Sequence, residues 1–379
     1  MIQRVAHIIP QLSQGGAERL TLNINSELNQ RPGIESRIFY FQPVADYKAT
    51  ELKQCFYVPA QVRLRLLGPP EYQIHKLESA IASFNPDILH AHLFESELVR
   101  GLFRPSTWAN ISTMHDNMRQ LKRPLGFIKK SDWIQRATRT TLLTSFRKTN
   151  NHFLAISEDT QAYLKTVLPS SMHSRIALLK NAIPLTRFSH PQRAEWIPGS
   201  PLRLINVGSF VSKKNQKLAV LVLQELLNLG LDAQLTLAGD GPLKAEVQEQ
   251  VRTLGLSEKV IFLGNITDIE RQYKEADLYL HTAWEEPFGL VLIEAMASGL
   301  SVVALDAGGN RELITDGRTG RLLPLNSTPM HVGTAIQDWM GSQKQQQEAR
   351  QQAIAFAAGF GIESYVDQLL LHYNRIQPA

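Results

Sequence analysis

The sequence predicts an α/β protein with two doubly wound parallel-sheet domains. Short runs rich in β-branched residues alternate with helical patterns along the whole chain, an order that is typical of parallel sheets flanked by helices. A chain of 379 residues is also too long for one ordinary core, which favours two domains. We predict domains at 1–184 and 202–355, a linker at 185–201, and a C-terminal helix at 356–379 that could pack back on the first domain.

The predicted strands follow from these apolar runs. In the first half they are Arg4–Ile9, Ser36–Phe41, Val62–Leu67, Asp87–His92, Asn110–His115, His152–Ile156 and Ile176–Leu179. In the second half they are Arg203–Val207, Ala233–Ala238, Val260–Leu263, Leu278–Thr282, Ser301–Leu305 and Arg321–Leu323. Between the halves, prolines cluster from Pro184 to Pro201, which is the composition of a linker. Two such domains facing each other would form a cleft at the carboxyl ends of both sheets, where open α/β sheets bind ligands.

Composition indicates a globular protein outside the membrane. Hydrophobic residues make up 43% of the chain and charged residues 20%. No apolar run reaches the roughly 18 residues that a membrane-spanning helix needs, and the first ten residues read as a strand rather than a signal peptide. The single cysteine, Cys55, excludes an internal disulfide and favours a reducing compartment, so we expect a cytoplasmic protein. As a side chain, Cys55 is most simply a small buried hydrophobe.

The segment 284–299 contains the clearest candidate site. It follows the strand predicted at 278–282 and reads as an acidic turn, a helix and a stop before the next strand. Glu286 falls in the turn, and Glu294 about two turns inside the helix. Free backbone N–H groups at the helix start, which suit a phosphate, would come from Phe288, Gly289 and Leu290. Carboxylates on both sides of an anion site suit a nucleotide-sugar, although two solvated surface glutamates are the competing interpretation.

Other strand-to-helix loops contain further candidates. Lys213 and Lys214 follow the strand that ends at Gly208, where lysines can reach a diphosphate as point charges. The loop at 239–242 is Gly-rich, and Gly15-Gly16 opens the first helix, but neither forms the Gly-x-Gly-x-x-Gly fingerprint of dinucleotide enzymes. Histidines end two strands, at His90-Ala91-His92 and at His115-Asp116. We find no nucleophile elbow, Walker loop or zinc-type spacing in the sequence.

In this order and spacing, the motifs resemble the retaining GT-B glycosyltransferases of the group 1 family (family 4). The matching motifs are Gly15–Glu18, His115-Asp116, Ala155–Ser157, Asn181–Phe188, Gly208–Lys214, Gly239–Pro242, Glu286–Glu294 and Gly308–Ile314, followed by Gly317 and Gly320. The resemblance covers nearly the whole chain and implies the GT-B fold. Two positions depart from the family pattern, since Ser209 stands where an arginine is usual and Ala182 where a glycine is usual.

The resemblance also implies roles for individual residues. Lys214 would neutralise the leaving diphosphate, Glu286 would bind hydroxyls of the transferred sugar, and His115 would lie beside that sugar as the third catalytic residue. Glu294 would accept hydrogen bonds from the ribose hydroxyls. The implied donor-binding set is Gly16, Gly208, Ser209, Lys214, Glu286, Phe288, Gly289, Leu290 and Glu294. The absent arginine at Ser209 removes one of two cationic contacts with the diphosphate, which Lys213 or Lys217 could replace.

The implied activity is the retaining transfer of a hexose-like sugar from a nucleoside diphosphate sugar to an acceptor hydroxyl. We expect a glycan or lipid-linked acceptor, in the biosynthesis of lipopolysaccharide, O-antigen or lipid-linked oligosaccharide. No metal or other cofactor is expected, because a lysine and a helix dipole would stabilise the leaving group. Alternatives are a catalytically weak nucleotide-sugar-binding partner subunit, a nucleotide-sugar epimerase of the same fold and a glycoside phosphorylase.

Charge is distributed unevenly. Residues 1–190 contain 24 Lys/Arg and 14 Asp/Glu, whereas residues 191–379 contain 16 and 21. Nine of the basic residues fall in 119–148, with Asp132 as the single acid and Phe127, Trp133 and Phe146 between them. This basic segment suits an anionic membrane surface, in which case the protein would be peripheral on the cytoplasmic face of the inner membrane, or a phosphate-bearing acceptor. The competing interpretation is a solvated helix face with Trp133 in the core; no nucleic-acid partner is expected.

Overall fold

The computed structural model describes residues 2–63, 71–104, 106–122, 130–189 and 196–376, and it divides the chain into two compact units. Unit 1 comprises Met1–Asn181 together with Ile362–Ala379, and unit 2 comprises Ala182–Gly361. Each unit is built on a parallel sheet, which confirms the predicted α/β class. Residues 190–195 of the predicted linker lie outside the described residues.

Unit 1 contains a seven-stranded parallel sheet in the order β3-β2-β1-β6-β7-β8-β9. Its strands are β1 (Arg4–Ile9), β2 (Glu35–Tyr40), β3 (Cys55–Tyr57), β6 (Ile88–His92), β7 (Ala109–Met114), β8 (His152–Ala155) and β9 (Ile176–Leu178). Its helices are α1 (Gly16–Leu28), α2 (His75–Phe84), α3 (Phe94–Arg100), α4 (Lys130–Lys148), α5 (Glu158–Val167) and the last helix of the chain, α14 (Ile362–Arg375). Because both faces of β1 and β6 are covered, their side chains are almost all buried.

One predicted strand pairs in a different sheet from the one expected. The run Val62–Leu67 was expected in the main sheet, but β4 (Gln61–Arg63) pairs antiparallel with β5 (Glu71–Gln73) in a separate two-stranded sheet. The remainder of the run, 64–67, lies outside the described residues. The strand that does extend the main sheet is β3, which begins at Cys55 and was not predicted. Three residues are too few for a periodic signal, so only pairing with β2 reveals β3 as a strand.

Unit 2 contains a six-stranded parallel sheet in the order β12-β11-β10-β13-β14-β15. Its strands are β10 (Leu202–Val207), β11 (Ala233–Ala238), β12 (Val260–Gly264), β13 (Leu278–His281), β14 (Ser301–Leu305) and β15 (Arg321–Leu323). Its helices are α6 (Leu185–Phe188), α7 (Gln216–Asn228), α8 (Lys244–Thr253), α9 (Ile269–Glu275), α10 (Leu290–Ala297), α11 (Asn310–Leu313), α12 (Pro329–Gly341) and α13 (Gln343–Ala357). The strand order reverses between β10 and β13, and ligands of doubly wound sheets bind at such a point.

Within the basic segment, the structure describes a short 3-10 helix at Arg119–Leu121 and the helix α4 at Lys130–Lys148. Phe146 is fully buried, whereas Trp133 is 53% exposed and Ile134 43% exposed. The alternative that put Trp133 in the core is therefore wrong. Arg123, Phe127 and Lys129 lie outside the described residues. Among the described residues, no helix is both long and apolar enough to cross a bilayer.

Candidate active site

The loop between β13 and α10 holds the two glutamates of the candidate site. Helix α10 begins at Leu290, two residues later than the predicted start at Phe288, and Gly289 is its N-cap. Glu294 is therefore the fifth residue of the helix, about one turn inside it rather than two. Glu286 lies in the loop itself and is only 7% exposed.

Two glycines allow this loop to fold so tightly. Gly289 has φ +101°, a left-handed conformation that L side chains rarely adopt, and a Cβ there would lie 2.9 Å from Cδ1 of Leu292. Gly309 comes from the loop after β14, and a Cβ at that position would lie 2.6 Å from the carbonyl oxygen of Pro287. The N–H of Gly309 donates to the carbonyl of Glu286 over 2.8 Å. The turn that carries Glu286 is thus held against its neighbour by close backbone contact.

The start of α10 has backbone N–H groups that lack backbone partners. Within the described residues, the backbone N–H groups of Phe288, Gly289 and Leu290 donate no backbone hydrogen bond. Unpaired N–H groups at a helix start carry partial positive charge and attract anions such as phosphate. The side chain of Phe288 is buried, with its ring 6.0 Å from that of Phe360, so packing fixes the direction of this turn.

Lys214 and Glu286 form a largely buried ion pair through Nζ and Oε2. Nε2 of His281, the last residue of β13, lies 3.2 Å from the same Oε2. Burial alone would raise the pKa of Glu286, but Lys214 and His281 hold it well below its usual range. Burial lowers the pKa of His281, so this imidazole stays neutral near pH 7. The site therefore presents an ionised carboxylate between a cation and a neutral imidazole.

Two buried tyrosines contact His281 and Glu294. The hydroxyl of Tyr279 lies 3.2 Å from Nδ1 of His281 and 3.4 Å from the carbonyl oxygen of Val207. The hydroxyl of Tyr273 donates to Oε2 of Glu294 over 3.0 Å. Tyr273 thus orients Glu294 directly, and Tyr279 contacts the histidine that lies next to Glu286.

The loop that carries Lys214 is tied to the loop that carries Glu286. Trp284 donates its backbone N–H to the carbonyl of Lys213 over 3.0 Å, and its ring Nε1–H to the carbonyl of Ser212 over 2.8 Å. The hydroxyl of Thr282 donates to the carbonyl of Lys214 over 3.1 Å. These bonds hold the two loops in register, so the Lys214–Glu286 contact is positioned by backbone and not by two flexible side chains alone.

The remaining unit 2 candidates border Lys214. Gly208 has φ +154°, and a Cβ on it would contact the Lys214 side chain at 3.5 Å. Ser209 is exposed beside it. Lys217, considered as a substitute for the arginine that Ser209 replaces, forms an exposed ion pair with Glu246 at 2.7 Å.

His115 and Gly16 belong to unit 1. His115 directly follows β7, and Gly16 is the first residue of α1, so each lies at the carboxyl end of the unit 1 sheet. The carboxylate of Glu18 lies over this helix start. It is so close that a Cβ added to Gly15 would lie 2.2 Å from Oε2 of Glu18. Ser13 donates to Oε1 of Glu18 over 3.0 Å. The start of α1 is therefore covered by a carboxylate of its own chain.

Sequence reasoning missed three partners of the site, namely His281, Tyr279 and Tyr273. His281 and Tyr279 lie in the buried strand β13 and Tyr273 in the short helix α9, where they read as ordinary core residues. One signal was present, since a histidine that ends a parallel strand faces the edge where ligands bind. That reasoning was applied to His90, His92 and His115 but not to His281.

Two family models match the chain. Residues 191–356 match the family described as Glycosyl transferases group 1, and residues 14–187 match the one described as Glycosyltransferase Family 4. Among curated proteins, EpsF of Bacillus subtilis, which carries a glycosyltransferase name, is 26% identical over 318 residues, 80% of this chain and 79% of EpsF. The lipopolysaccharide core biosynthesis mannosyltransferase LpcC of Rhizobium leguminosarum bv. viciae is 32% identical over 160 residues, 38% of this chain and 44% of LpcC.

Solved structures share the architecture. Anabaena HepE in complex with UDP and glucose superposes with a TM-score of 0.76 at 19% identity, over 99% of this chain and 100% of HepE. WaaG, a glycosyltransferase involved in lipopolysaccharide biosynthesis, superposes with a TM-score of 0.74 at 17% identity, over 99% of this chain and 100% of WaaG. With the two parallel sheets, these likenesses show the GT-B fold. The chain belongs to the group 1 glycosyltransferases of family 4, enzymes that transfer a sugar to an acceptor.

Proposed function

We propose that the protein transfers a hexose-like sugar from a nucleoside diphosphate sugar to an acceptor hydroxyl with retention of the anomeric configuration. The observation that carries this proposal is the largely buried Lys214–Glu286 pair close to the unpaired backbone N–H groups at the start of α10. A cation and free N–H groups suit the diphosphate, whereas Glu286 and Glu294 suit sugar hydroxyls. HepE has been crystallised with UDP and with UDP-glucose, which supports a nucleotide-sugar as the donor here.

The proposed step needs stabilisation of negative charge. The bond between the anomeric carbon and the diphosphate oxygen breaks, the acceptor oxygen bonds to that carbon from the same face, and the acceptor proton passes to the leaving diphosphate. Lys214 and the N–H groups at 288–290 would oppose the charge that develops, and one such preorganised donor contributes about 3 kcal/mol. We propose that these groups act without a metal ion. Undiminished turnover in a chelator would agree with this, and a requirement for added Mg²⁺ or Mn²⁺ would contradict it.

Turnover by matched lysine variants tests the donor site. We expect Lys214→Ala to lower donor turnover about 100-fold, the equivalent of about 3 kcal/mol, and Glu294→Ala to weaken donor binding. Lys217→Ala is the control, because Lys217 is paired on the surface with Glu246. Wild-type rates in both Lys214→Ala and Glu294→Ala would remove the assignment.

A thermal-shift screen of nucleoside diphosphates and nucleotide-sugars would identify the donor by the stabilisation that each ligand gives. A ligand at 100 times its Kd stabilises the fold by about 2.7 kcal/mol, so the cognate base and sugar stand out. Binding without transfer across a panel of acceptors would favour a catalytically weak partner subunit instead.

We further propose a glycan acceptor in cell-surface biosynthesis. The names of LpcC and WaaG refer to lipopolysaccharide, which supports this class. Unit 1 also contains a cavity of about 710 Å³ whose lining includes the end of β3 and the loop that follows β2. Sugar-compatible groups line it, namely Gln42, Tyr57, Gln61, Tyr72, Gln73 and Glu95. Tyr57→Ala should raise the KM for the acceptor and leave donor affinity unchanged; unchanged acceptor kinetics would exclude this cavity.

Peripheral attachment to an anionic membrane is the last part of the proposal. Trp133 and Ile134 are exposed on α4, and Arg147 and Lys148 are exposed at its other end. Apolar and basic side chains on one helix suit an anionic lipid surface. We expect cosedimentation with anionic vesicles at low salt, weaker for Trp133→Ser and absent with zwitterionic vesicles. No binding to anionic vesicles at low salt would contradict the attachment.

A further inference from the structure

Three histidines of unit 1 form a continuous hydrogen-bonded row. Nδ1 of His7, in β1, lies 2.9 Å from Nε2 of His92, the last residue of β6. Nδ1 of His92 lies 3.0 Å from Nε2 of His115, directly after β7. His7 and His92 are fully buried, whereas His115 is partly exposed. The row therefore runs from the interior of the sheet to the edge where His115 lies.

Sheet register places these rings on one face. His7 is directly opposite His90 in the β1–β6 pairing, and His92 is two residues further along, hence on the same side. The ring of His90 stacks on that of His92 with centroids 4.2 Å apart. His90 is itself held at both nitrogens, by the hydroxyls of Tyr373 and Thr113 at 2.7 Å each. The orientation of His92 is thus fixed by packing.

Only two proton arrangements satisfy both bonds of a neutral row. In the first, Nδ1–H of His7 donates to His92, Nδ1–H of His92 donates to Nε2 of His115, and His115 carries its own proton on Nδ1. In the second, both bonds run the other way, and His7 must carry a proton on Nε2.

The buried end of the row decides between them. Nε2 of His7 is buried and has no hydrogen-bond partner among the described residues. The second arrangement would leave an N–H donor orphaned there, which native proteins avoid more strictly than an unused acceptor. The first arrangement leaves only a lone pair without a partner, so it is favoured.

We propose that His7 and His92 are positioning residues that fix the tautomer of His115, so that its Nδ1 presents an N–H donor. The inference rests on the proposed sugar transfer and on the role that the family resemblance implies for His115, that of a residue beside the transferred sugar. A neutral ring with its proton on Nδ1 donates a hydrogen bond to a sugar oxygen, which the other tautomer cannot do from that nitrogen. Histidine tautomers are commonly set in this way by the bond that the other ring nitrogen makes.

The row stays uncharged under ordinary conditions. Burial lowers the pKa of His7 and of His115 to about 3. Burial also holds the pKa of His92 well below its usual value, an effect that His90 and His7 reinforce. Near pH 7 the two arrangements of the row therefore have the same charge and differ only in where the protons lie.

A metal ion is the competing occupant. His7, His90 and His92 each have a ring nitrogen within 4.8 Å of the others, a grouping that could hold a metal. However, both nitrogens of His90 already have hydroxyl partners, and the rings of His90 and His92 are stacked, an orientation that does not aim their lone pairs at one point. Hydrogen bonding explains the observed contacts without further change.

Nitrogen-15 NMR of the histidine side chains in the full-length protein tests the tautomer directly. We expect protons on Nδ1 and bare Nε2 nitrogens in His7, His92 and His115. A proton on Nε2 of His115 would overturn the proposal, as would stoichiometric metal in the purified protein or shifts of the His7, His90 and His92 signals on adding Zn²⁺. Because this measurement needs no substrate, it decides the tautomer even if the transferase assignment fails.

A shape-matched pair of variants links the tautomer to sugar transfer. His92→Asn keeps an N–H donor near the former Nδ1, whereas His92→Leu has a similar shape and no donor. We expect that in His92→Leu the proton of His115 is no longer confined to Nδ1 and that kcat/KM for the donor falls about 10-fold, the lower end of the losses caused by removing the partner of a metal-ligating histidine. His92→Asn should restore most of both. The proposal would be overturned if the two variants, at matched melting temperatures, had the same kcat/KM as each other and the same His115 nitrogen shifts as wild type.

Discussion

Glu286 illustrates how a single residue can depend on its neighbours for its charge. Its carboxylate is 7% exposed, and only Lys214 and His281 keep it ionised. Removing one member of a buried pair leaves an uncompensated charge, which typically costs 3–5 kcal/mol, roughly. The pair should therefore contribute to stability as well as to ligand binding.

We predict that Lys214→Met lowers the free energy of unfolding by about 3 kcal/mol at pH 7. Adding Glu286→Gln should recover part of this loss, because the unpaired charge is then gone. Urea unfolding of the two single variants and the double variant measures the coupling. A double variant less stable than Lys214→Met would contradict this explanation.

The same pair predicts a pH dependence. A carboxyl group whose pKa is lower in the folded state stabilises the fold above its unfolded pKa of about 4.3, and this stabilisation is lost as the pH falls toward the folded value. The difference in unfolding free energy between wild type and Lys214→Met should therefore shrink as the pH falls from about 5. A difference that grows toward low pH would show that Glu286 is not held ionised by Lys214.

At this scale the sequence predicted the residues that stand in loop motifs next to strand ends and helix starts, and missed their partners in strands and short helices. Lys214, Glu286 and Glu294 follow recognisable strand ends or helix starts. His7 lies in the interior of β1 and Tyr273 in α9, and their partners are 85 and 21 residues away in the chain. His281, at the end of β13, contacts Glu286 only through the fold of the loop that follows. No local pattern encodes such a pairing.

At the scale of elements, the turn before α10 depends on Gly289. Its backbone conformation is left-handed, and a side chain there would collide with Leu292. Gly317 has a similar φ, +73°, but open space around the position of a Cβ. The two glycines therefore separate the cost of backbone strain from the cost of a clash.

We predict that Gly289→Ala destabilises the protein more than Gly317→Ala does. Both variants incur the cost of a left-handed alanine, roughly 1 kcal/mol, and only Gly289→Ala also displaces the helix start. Thermal unfolding ranks the two variants, and the nucleotide-sugar affinity should fall only in Gly289→Ala. Equal losses of stability with unaltered affinity would mean that the turn tolerates the added methyl group.

Several strands were predicted correctly from local apolar runs. β1, β11, β14 and β15 have the predicted bounds, whereas the C-terminal helix predicted at 356–379 is α14 at Ile362–Arg375. The β4–β5 ribbon was missed because its apolar residues alternate as in a sheet strand, although their partner is a neighbouring hairpin segment. Local pattern indicates a strand but does not say which strand it pairs with.

At the scale of the whole molecule, each unit has its own apolar core. The last helix, α14, belongs to unit 1 although unit 2 precedes it in the chain. Tyr373 of α14 bonds to His90 in the unit 1 sheet, and Tyr279 bonds to His281 in unit 2. Each unit thus contains one buried tyrosine–histidine bond.

We predict two calorimetric transitions, one for each core. Tyr373→Phe should lower one of them, and Tyr279→Phe the other, because leaving a buried partner unsatisfied costs roughly 1–3 kcal/mol. Differential scanning calorimetry of the two variants would assign the transitions. If both substitutions shifted the same transition, the units would not unfold independently.

The position of Trp284 next to the candidate site suits a fluorescence measurement. Its indole is 43% exposed, yet its ring N–H and backbone N–H are bonded to the loop that carries Lys214. An anion bound at Lys214 would change the field and the solvent around this indole and hence its emission. The chain contains five tryptophans, so the difference between wild type and Trp284→Phe isolates the signal of this one. Trp284 is therefore an intrinsic fluorophore with which binding of the proposed donor should be measurable in real time and without a label.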